Sequence, residues 1–261
     1  MLVLISPAKT LDYETPVPGP VAPLASEPMW LDEAAALIGV MKKKSARQVA
    51  RLMDLSPTLA QLNVERYAAW APRHDAGNSK PAVLAFDGDV YDGLEARTLK
   101  TADLVWAQQH LVILSGLYGA LRPLDHLQPY RLEMGTAVRT KRGKDLYAWW
   151  GDRVAEYLNE RQAEEREPVV VNLASIEYAR VALRTRLRAR VIHCVFEDWK
   201  GGEFKVISFF AKKARGLMAR HLITKRARSP KAMASFSGGG YALDPATSTP
   251  ERWVFRRSEV A

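Results

Sequence analysis

Four apolar runs in this sequence are each followed by a cluster of polar residues and glycines, as where a loop leaves a buried strand. The clusters are SPAKT (6–10), FDGDVYDGL (86–94), SGLYGALRPLD (115–125) and NLASIEY (172–178). Ligands of open α/β sheets bind outside the carboxyl ends of the strands, so these loops are expected to converge on one cleft. The cleft would gather nine side chains: Ser6, Lys9, Asp89, Tyr91, Ser115, Tyr118, Arg122, Asn172 and Glu177.

The segment PYRLEMG (129–135) adds Arg131 and Glu133, which share a face if the segment is extended. An enzyme of unknown reaction would need a base, an acid and an anion clamp. The residues that could supply them are Lys9, Asp89, Tyr118, Arg131 and Glu133. The alternative is structural: the glycines only form turns, and Arg131 and Glu133 form an ion pair with no chemical task. The sequence contains no phosphate-binding P-loop, dinucleotide fingerprint, zinc-protease motif or nucleophile elbow.

Cysteine and histidine, the usual ligands of transition metals, are sparse. The chain has one cysteine and five histidines, and no pair of histidines stands at a metal-ligand spacing. Cys194 lies in the apolar run VIHCVF, which predicts a buried and unreactive thiol. We therefore predict no metal site and no cofactor.

The distribution of charge indicates a polyanionic partner. Lysine and arginine number 38 against 29 aspartates and glutamates, which leaves a net charge of +9. Residues 205–231, here called the basic segment, contain nine basic residues and no acidic one. Cations confined to one segment favour polyanion binding more than an evenly basic surface would, although a solvated basic face is the alternative.

Alternation of apolar runs with helical patterns predicts a single α/β domain over residues 1–261, with a mixed central sheet flanked by helices. The predicted strands are 2–5, 82–86, 111–115, 169–173, 191–196 and 205–210. Residues 45–70 are expected to form two short helices cut by Ser56-Pro57, which resembles a helix–hairpin–helix unit. The first strand is too short for a signal peptide, and no apolar stretch could cross a bilayer, so a cytoplasmic protein without membrane contact is expected.

Several long motifs, in order along nearly the whole chain, resemble the YaaA family of bacterial peroxide stress resistance proteins. They are LISPAKTLDYETP, FDGDVYDGL, AQQHLVILSGLYGALRPLDHLQPYRLEMGT, GKDLYAWWGD, VNLASIEY and ISFFAKKARGLMARH. The resemblance implies a cytoplasmic protein that limits the damage caused when iron reacts with hydrogen peroxide. It also implies a positively charged cleft and binding of double-stranded DNA through a helix–hairpin–helix element.

One departure from helix–hairpin–helix units concerns the hairpin, which usually contains glycines that let backbone N–H groups approach phosphate. Here it reads MDLSPTL and has none. More of the affinity would then fall on side chains, and little base readout is expected. The candidate DNA-binding residues are Lys9, Arg122, Lys212, Lys213, Arg215, Arg220, Lys42, Lys43 and Lys44.

The candidate DNA contacts fall into two groups of different rigidity. Lys212, Lys213 and Arg215 lie on a predicted helix with one apolar face, whereas Lys42, Lys43 and Lys44 lie in a predicted solvated turn. The helix is expected to contribute more affinity, because its side chains lose less freedom on binding. Direct iron sequestration is the weakest alternative, since scattered carboxylates would give a poorly selective site. No obligate protein partner is indicated, and a monomer is expected.

Overall fold

The computed structural model describes residues 1–258. The helices, numbered in chain order, are α1 (Leu31–Met41), α2 (Ala46–Met53), α3 (Pro57–Ala69), α4 (Ala82–Ala85), α5 (Asp89–Leu94), α6 (Thr101–His110), α7 (Leu146–Trp150), α8 (Arg153–Glu160), α9 (Ile176–Ala182) and α10 (Ser208–Thr224). Within residues 1–258, no helix is both long and apolar enough to span a membrane.

Most of the strands belong to one mixed sheet. The strands are β1 (Leu2–Ile5), β2 (Thr10–Leu11), β3 (Lys80–Pro81), β4 (Phe86–Asp87), β5 (Leu111–Ser115), β6 (Gly119–Leu121), β7 (His126–Leu127), β8 (Val169–Asn172), β9 (Arg190–Lys200), β10 (Glu203–Lys205), β11 (Ala242–Leu243) and β12 (Arg252–Arg257). Eight of them form the sheet, in the order β11-β12-β9-β8-β1-β5-β6, with β10 paired to β9. The expected α/β fold with a mixed central sheet flanked by helices is confirmed.

The centre of the sheet is parallel and fully covered. β1 pairs in parallel with β5 on one side and with β8 on the other. Every residue of these three strands is buried, because both faces of a parallel sheet are covered by helices. Their carboxyl ends therefore open at the same edge, and that edge is where polar side chains can gather.

Two predicted strands are wrong. Residues 82–85 form the single helical turn α4, and Phe86 begins β4. The N–H groups of Ala82 and Val83 donate to Asp125 O and Pro123 O instead of to a sheet neighbour. A short apolar run has no period that separates a buried strand from a buried helical turn. In residues 205–210, pairing stops at Lys205 and α10 begins at Ser208.

The two helices predicted within residues 45–70 are present as α2 and α3. Ser45 caps α2 by accepting from the N–H of Gln48, whose side chain accepts in return from the N–H of Ser45. Ser56 caps α3, which begins at Pro57. Asp54, at the turn between them, has a φ of 51°. The turn thus uses an aspartate where glycine would carry no steric penalty.

Candidate functional site

A cleft of about 450 Å³ opens at the carboxyl edge of the sheet, where β1 and β8 end. The loop after β1, the Asp87–Tyr91 stretch around the start of α5, the first residues of α9 and one face of α10 surround it. The lining residues that carry polar side chains are Ser6, Lys9, Thr10, Asp87, Asp89, Tyr91, Glu133, Ser175, Glu177, Tyr178, Lys212 and Arg215. Segments from both halves of the chain therefore build one concave site.

Lys9, Glu133 and Arg131 form an ionic chain on one side of the cleft. The Nζ atom of Lys9 lies 3.4 Å from Oε1 of Glu133. Arg131 donates to the same carboxylate oxygen from Nε and Nη2, at 3.0 Å each. Lys9 is 65% exposed, whereas Arg131 is only 15% exposed. The shared carboxylate holds Lys9 at the mouth of the cleft while Arg131 supports it from the interior.

Asp89 and Lys212 form a second pair across the cleft, with Oδ2 and Nζ 3.3 Å apart. Their separation is set by close backbone packing of α5 against α10. A Cβ atom built on Gly216 would lie 1.8 Å from Val90 O, and one on Gly93 would lie 2.1 Å from Lys213 O. The two glycines in FDGDVYDGL and KKARGLM thus allow helix contact that no other residue permits.

Arg215 is the third cation of the cleft, and its surroundings are different. Its side chain is mostly buried in α10, and burial lowers the pKa of its guanidinium. Its Nε atom is buried without a hydrogen-bond partner, and no carboxylate pairs with the guanidinium among residues 1–258. A desolvated cation without a counterion is costly, so this group favours an anion entering the cleft.

Hydroxyl groups shape the floor of the cleft. The Oγ atom of Ser6 accepts from the N–H of Ser175 at 2.9 Å, and Ser175 caps α9. The hydroxyl of Tyr91 donates to Ser6 O at 3.1 Å. Burial raises the pKa of both Tyr91 and Tyr178 well above the ordinary value. These tyrosines are therefore neutral walls and hydrogen-bond donors, and neither is a base at physiological pH.

The charges in the cleft nearly cancel. Three basic side chains line it, against the carboxylates of Asp87, Asp89, Glu133 and Glu177. The expectation of a positively charged cleft therefore does not hold for this cavity. A mixed lining suits a small ligand with both anionic and hydrogen-bond-donating groups better than it suits a polyanion.

The structure brings most of the residues predicted for the cleft together there. Lys9, Asp89 and Glu133 line the cleft, as do Ser6, Tyr91 and Glu177, and Arg131 adjoins it through Glu133. Four other predicted members lie outside the lining: Ser115, Tyr118, Arg122 and Asn172. Asn172 instead closes the end of β8, where its Oδ1 accepts from Ala174 N.

Tyr118 belongs to a buried hydrogen-bond network behind the cleft. Its hydroxyl accepts from Trp70 Nε1 at 3.0 Å and lies 2.9 Å from His74 Nε2. Its N–H donates to Ser115 Oγ, which is 2.6 Å from the hydroxyl of Tyr130. Tyr118 is fully buried, and burial raises its pKa above the ordinary range. Tyr118 therefore does not line the cleft beside Lys9, and its hydroxyl is held by neighbouring side chains.

Arg122 lies away from the cleft because β6 runs antiparallel to β5 and carries the chain back along the sheet. Its guanidinium pairs with Asp125 at 2.9 Å, and the Asp125 side chain is 2% exposed. Desolvation of Asp125 raises the pKa of that carboxyl despite the arginine. Arg122 therefore serves as the counterion of a buried carboxylate.

Cys194 is buried, as predicted, and burial raises the pKa of its thiol to about 12. Among residues 1–258, no three histidine, cysteine, aspartate or glutamate side chains are arranged to hold a metal ion.

Comparison with known proteins assigns the family. Residues 1–247 match the family model described as peroxide stress protein YaaA. The chain belongs to the YaaA family. A UPF0246 protein of Leptothrix cholodnii is 63% identical over 98% of both chains, and one of Methylibium petroleiphilum is 59% identical over 98% of this chain and 99% of its own. A UPF0246 protein of Bordetella pertussis is 56% identical over the full length of both. The YaaA resemblance predicted from the motifs is confirmed.

The basic residues proposed to contact DNA are divided between paired and unpaired positions in this YaaA family member. Arg220 donates to Leu94 O and Glu95 O, and Lys42 Nζ donates to Trp70 O at 3.2 Å. Lys213 and Lys43 are exposed, and Lys44 is half-buried. Within residues 1–258, the members of the basic segment that are exposed and form no ion pair are Lys213, Lys225, Arg228 and Lys231.

Proposed function

We propose that the protein binds duplex DNA, largely irrespective of sequence, as part of the response to peroxide stress. The family assignment supports the physiological context. The observation that carries the DNA part is the basic segment, whose nine cations stand without one acidic residue among them. Neutralising phosphates and releasing counterions would supply the affinity.

The contacts are assigned to α10 and the turn that follows it. Lys225 is the C-cap residue directly after α10, and Arg228 and Lys231 follow it. His221 Nε2 lies 2.9 Å from Ala232 O, which connects this turn to the helix. Cations on packed backbone lose little freedom when they bind phosphate. The hairpin between α2 and α3 is a poorer phosphate site, because its tip presents the carboxylate of Asp54.

A binding titration at several salt concentrations tests this proposal. Fluorescence anisotropy with two unrelated duplexes should give affinities within about 100-fold of each other, since specific readout separates sites by far more. Replacing Lys225, Arg228 and Lys231 with Gln should weaken binding to both duplexes and make the slope of log K against log salt shallower by about two to three units.

The matched control removes three exposed cations elsewhere, Arg139, Lys141 and Lys144. Its salt slope should stay near that of the unmodified protein. An equal loss in both triple variants would contradict the assignment to α10 and its turn. A lack of binding to either duplex at low salt would contradict the proposed function itself.

A further inference from the structure

The cleft contains one cation whose charge is not balanced by a neighbour. Lys9 pairs with Glu133 and Lys212 pairs with Asp89, but Arg215 has no carboxylate partner among residues 1–258. Because Arg215 is mostly buried, water screens its charge poorly. One anionic group of a ligand would therefore be bound here, and a planar guanidinium matches the geometry of phosphate oxygens.

Two carboxylates of the cleft are also available to a ligand. Glu177 accepts from Gly135 N through Oε1, which leaves its second oxygen free of side-chain partners within residues 1–258, and Asp87 forms no ion pair there. Carboxylate oxygens accept hydrogen bonds only, so they select amino or hydroxyl groups. A ligand that satisfies the cleft therefore combines one anionic group with hydrogen-bond donors.

The remaining wall is aromatic and apolar. Tyr91 and Tyr178 lie on it together with Pro7, Ala8 and Val90. A cavity of about 450 Å³ falls within the size range of small-molecule sites and is too small for a double helix. A flat ring could pack against this wall. A bare inorganic anion would contact neither the wall nor the carboxylates.

We propose that the cleft binds a nucleoside monophosphate unit, with its phosphate on Arg215 and its base and sugar donors on Asp87 and Glu177. A second or third phosphate would approach the four carboxylates and is disfavoured. The unit can be a free nucleotide or one nucleotide of a single strand, since both present the same groups. This inference goes beyond duplex binding, which uses a different surface.

Isothermal titration calorimetry tests the site with AMP, CMP, GMP and UMP, each compared with inorganic phosphate and with ATP. At least one monophosphate should bind with a dissociation constant below about 1 mM, and about tenfold or more tighter than phosphate or ATP. Arg215→Gln should weaken that binding by about tenfold or more, because it removes a charge-assisted hydrogen bond. The control Arg166→Gln, an exposed arginine at the opposite end of β8, should not change it.

Glu177→Gln provides a second variant that keeps an acceptor for Gly135 N and so preserves the local fold. It should weaken the same nucleotide by about threefold or more. A short single-stranded oligonucleotide forms the second arm, and Arg215-dependent binding of it alone would assign the unit to a strand. The proposal is overturned if neither arm binds, if phosphate binds as tightly as the nucleotides, or if both variants bind like the unmodified protein.

Discussion

The cleft and the network around Tyr118 both lie where strands of the sheet end, yet their polar groups are satisfied differently. In the network, the hydroxyl of Tyr118 contacts Trp70, His74 and Gln128. In the cleft, the Arg215 guanidinium has a buried nitrogen without a partner. Buried polar groups that are fully paired hold a fold together, whereas an unpaired one is a cost that a ligand can remove.

The difference teaches how strand-end polar residues divide between stability and binding. Ser115 ends β5 and is buried against Tyr118 and Tyr130, so the loop after β5 is closed to ligands. The loops after β1 and β8 are accessible to a ligand. Ser6 and Ser175 hydrogen-bond to each other at the floor of the cleft, and the cavity lies beyond them. Residue type alone does not show whether a strand-end polar residue is buried in a hydrogen-bond network or lines the cleft.

The largest effect is expected from Gly216→Ala, which would disturb the helix packing on which the cleft depends. A methyl group 1.8 Å from Val90 O forces α5 and α10 apart, at a cost of about 3 kcal/mol or more. Gly39→Ala in α1 is the matched control, since a Cβ there meets nothing within 4 Å and alanine favours helix. Chemical denaturation should show a loss for the first and a small gain for the second. If Gly216→Ala were as stable as the unmodified protein, α5 and α10 could move apart without cost, which would contradict this prediction.

Tyr118→Phe should have the next largest effect. Removing the hydroxyl leaves Trp70 Nε1 and His74 Nε2 buried without their partner, at an expected cost of about 2 to 3 kcal/mol in the free energy of unfolding. Arg215→Gln should change stability by less than about 1 kcal/mol, because it removes an unpaired charge. If the arginine variant lost more stability than the tyrosine variant, the comparison between the two regions would be reversed.

The smallest effect is a pH dependence that originates in His74. The hydroxyl of Tyr118 accepts from both Trp70 Nε1 and Gln128 N, which occupies its two lone pairs. It therefore donates to His74 Nε2, which requires a neutral imidazole. Burial lowers the pKa of His74 from its ordinary value of 6.5. Below about pH 6.5 the unfolded chain takes up a proton that the folded chain does not. Stability is therefore full above this pH and falls by up to about 1.4 kcal/mol per unit below it.

The contribution of His74 to the pH dependence of stability is measured by denaturation curves between pH 7.5 and about 5.5, with His74→Gln compared with the unmodified protein. The variant should be less stable at neutral pH and should lose less stability on acidification. Other titrating groups, including His110, whose pKa burial also lowers, contribute to both curves and cancel in the difference. Parallel curves would exclude His74 as the source.

The sequence was sufficient to predict which strand-end loops come together when those strands are parallel. Lys9 and Glu177 follow β1 and β8, which pair in register, and both line the cleft. Arg122 was misplaced because the glycine-containing turn after β5 starts an antiparallel strand, which an apolar run does not reveal. The short turn α4 was missed because a short apolar run has no period that separates a buried strand from a buried helical turn.

Arg215 shows a different limit. A helical pattern assigns arginine to the solvent face, and no sequence pattern indicates that this residue is mostly buried beside the cleft. Its position follows from the contact of α10 with α5, which depends on Gly93 and Gly216. Glycines far apart in a chain carry no local signal that the helices containing them pack together. Only the three-dimensional structure identifies such a pair.

The packing of α5 against α10 at Gly93 and Gly216 also determines when the cleft can exist during synthesis of the chain. Residues 93 and 216 are more than 120 positions apart, so α5 leaves the ribosome well before its partner. At ordinary translation speeds the interval is roughly 6 to 25 seconds. At the start of that interval the nascent chain already contains β1 and residues 45–70, and β5 follows soon after, but the wall of the cleft that α10 supplies is missing until the end. A chain that ends before α10 has neither the cleft nor the basic segment, so ligand and DNA binding would appear together, late in translation.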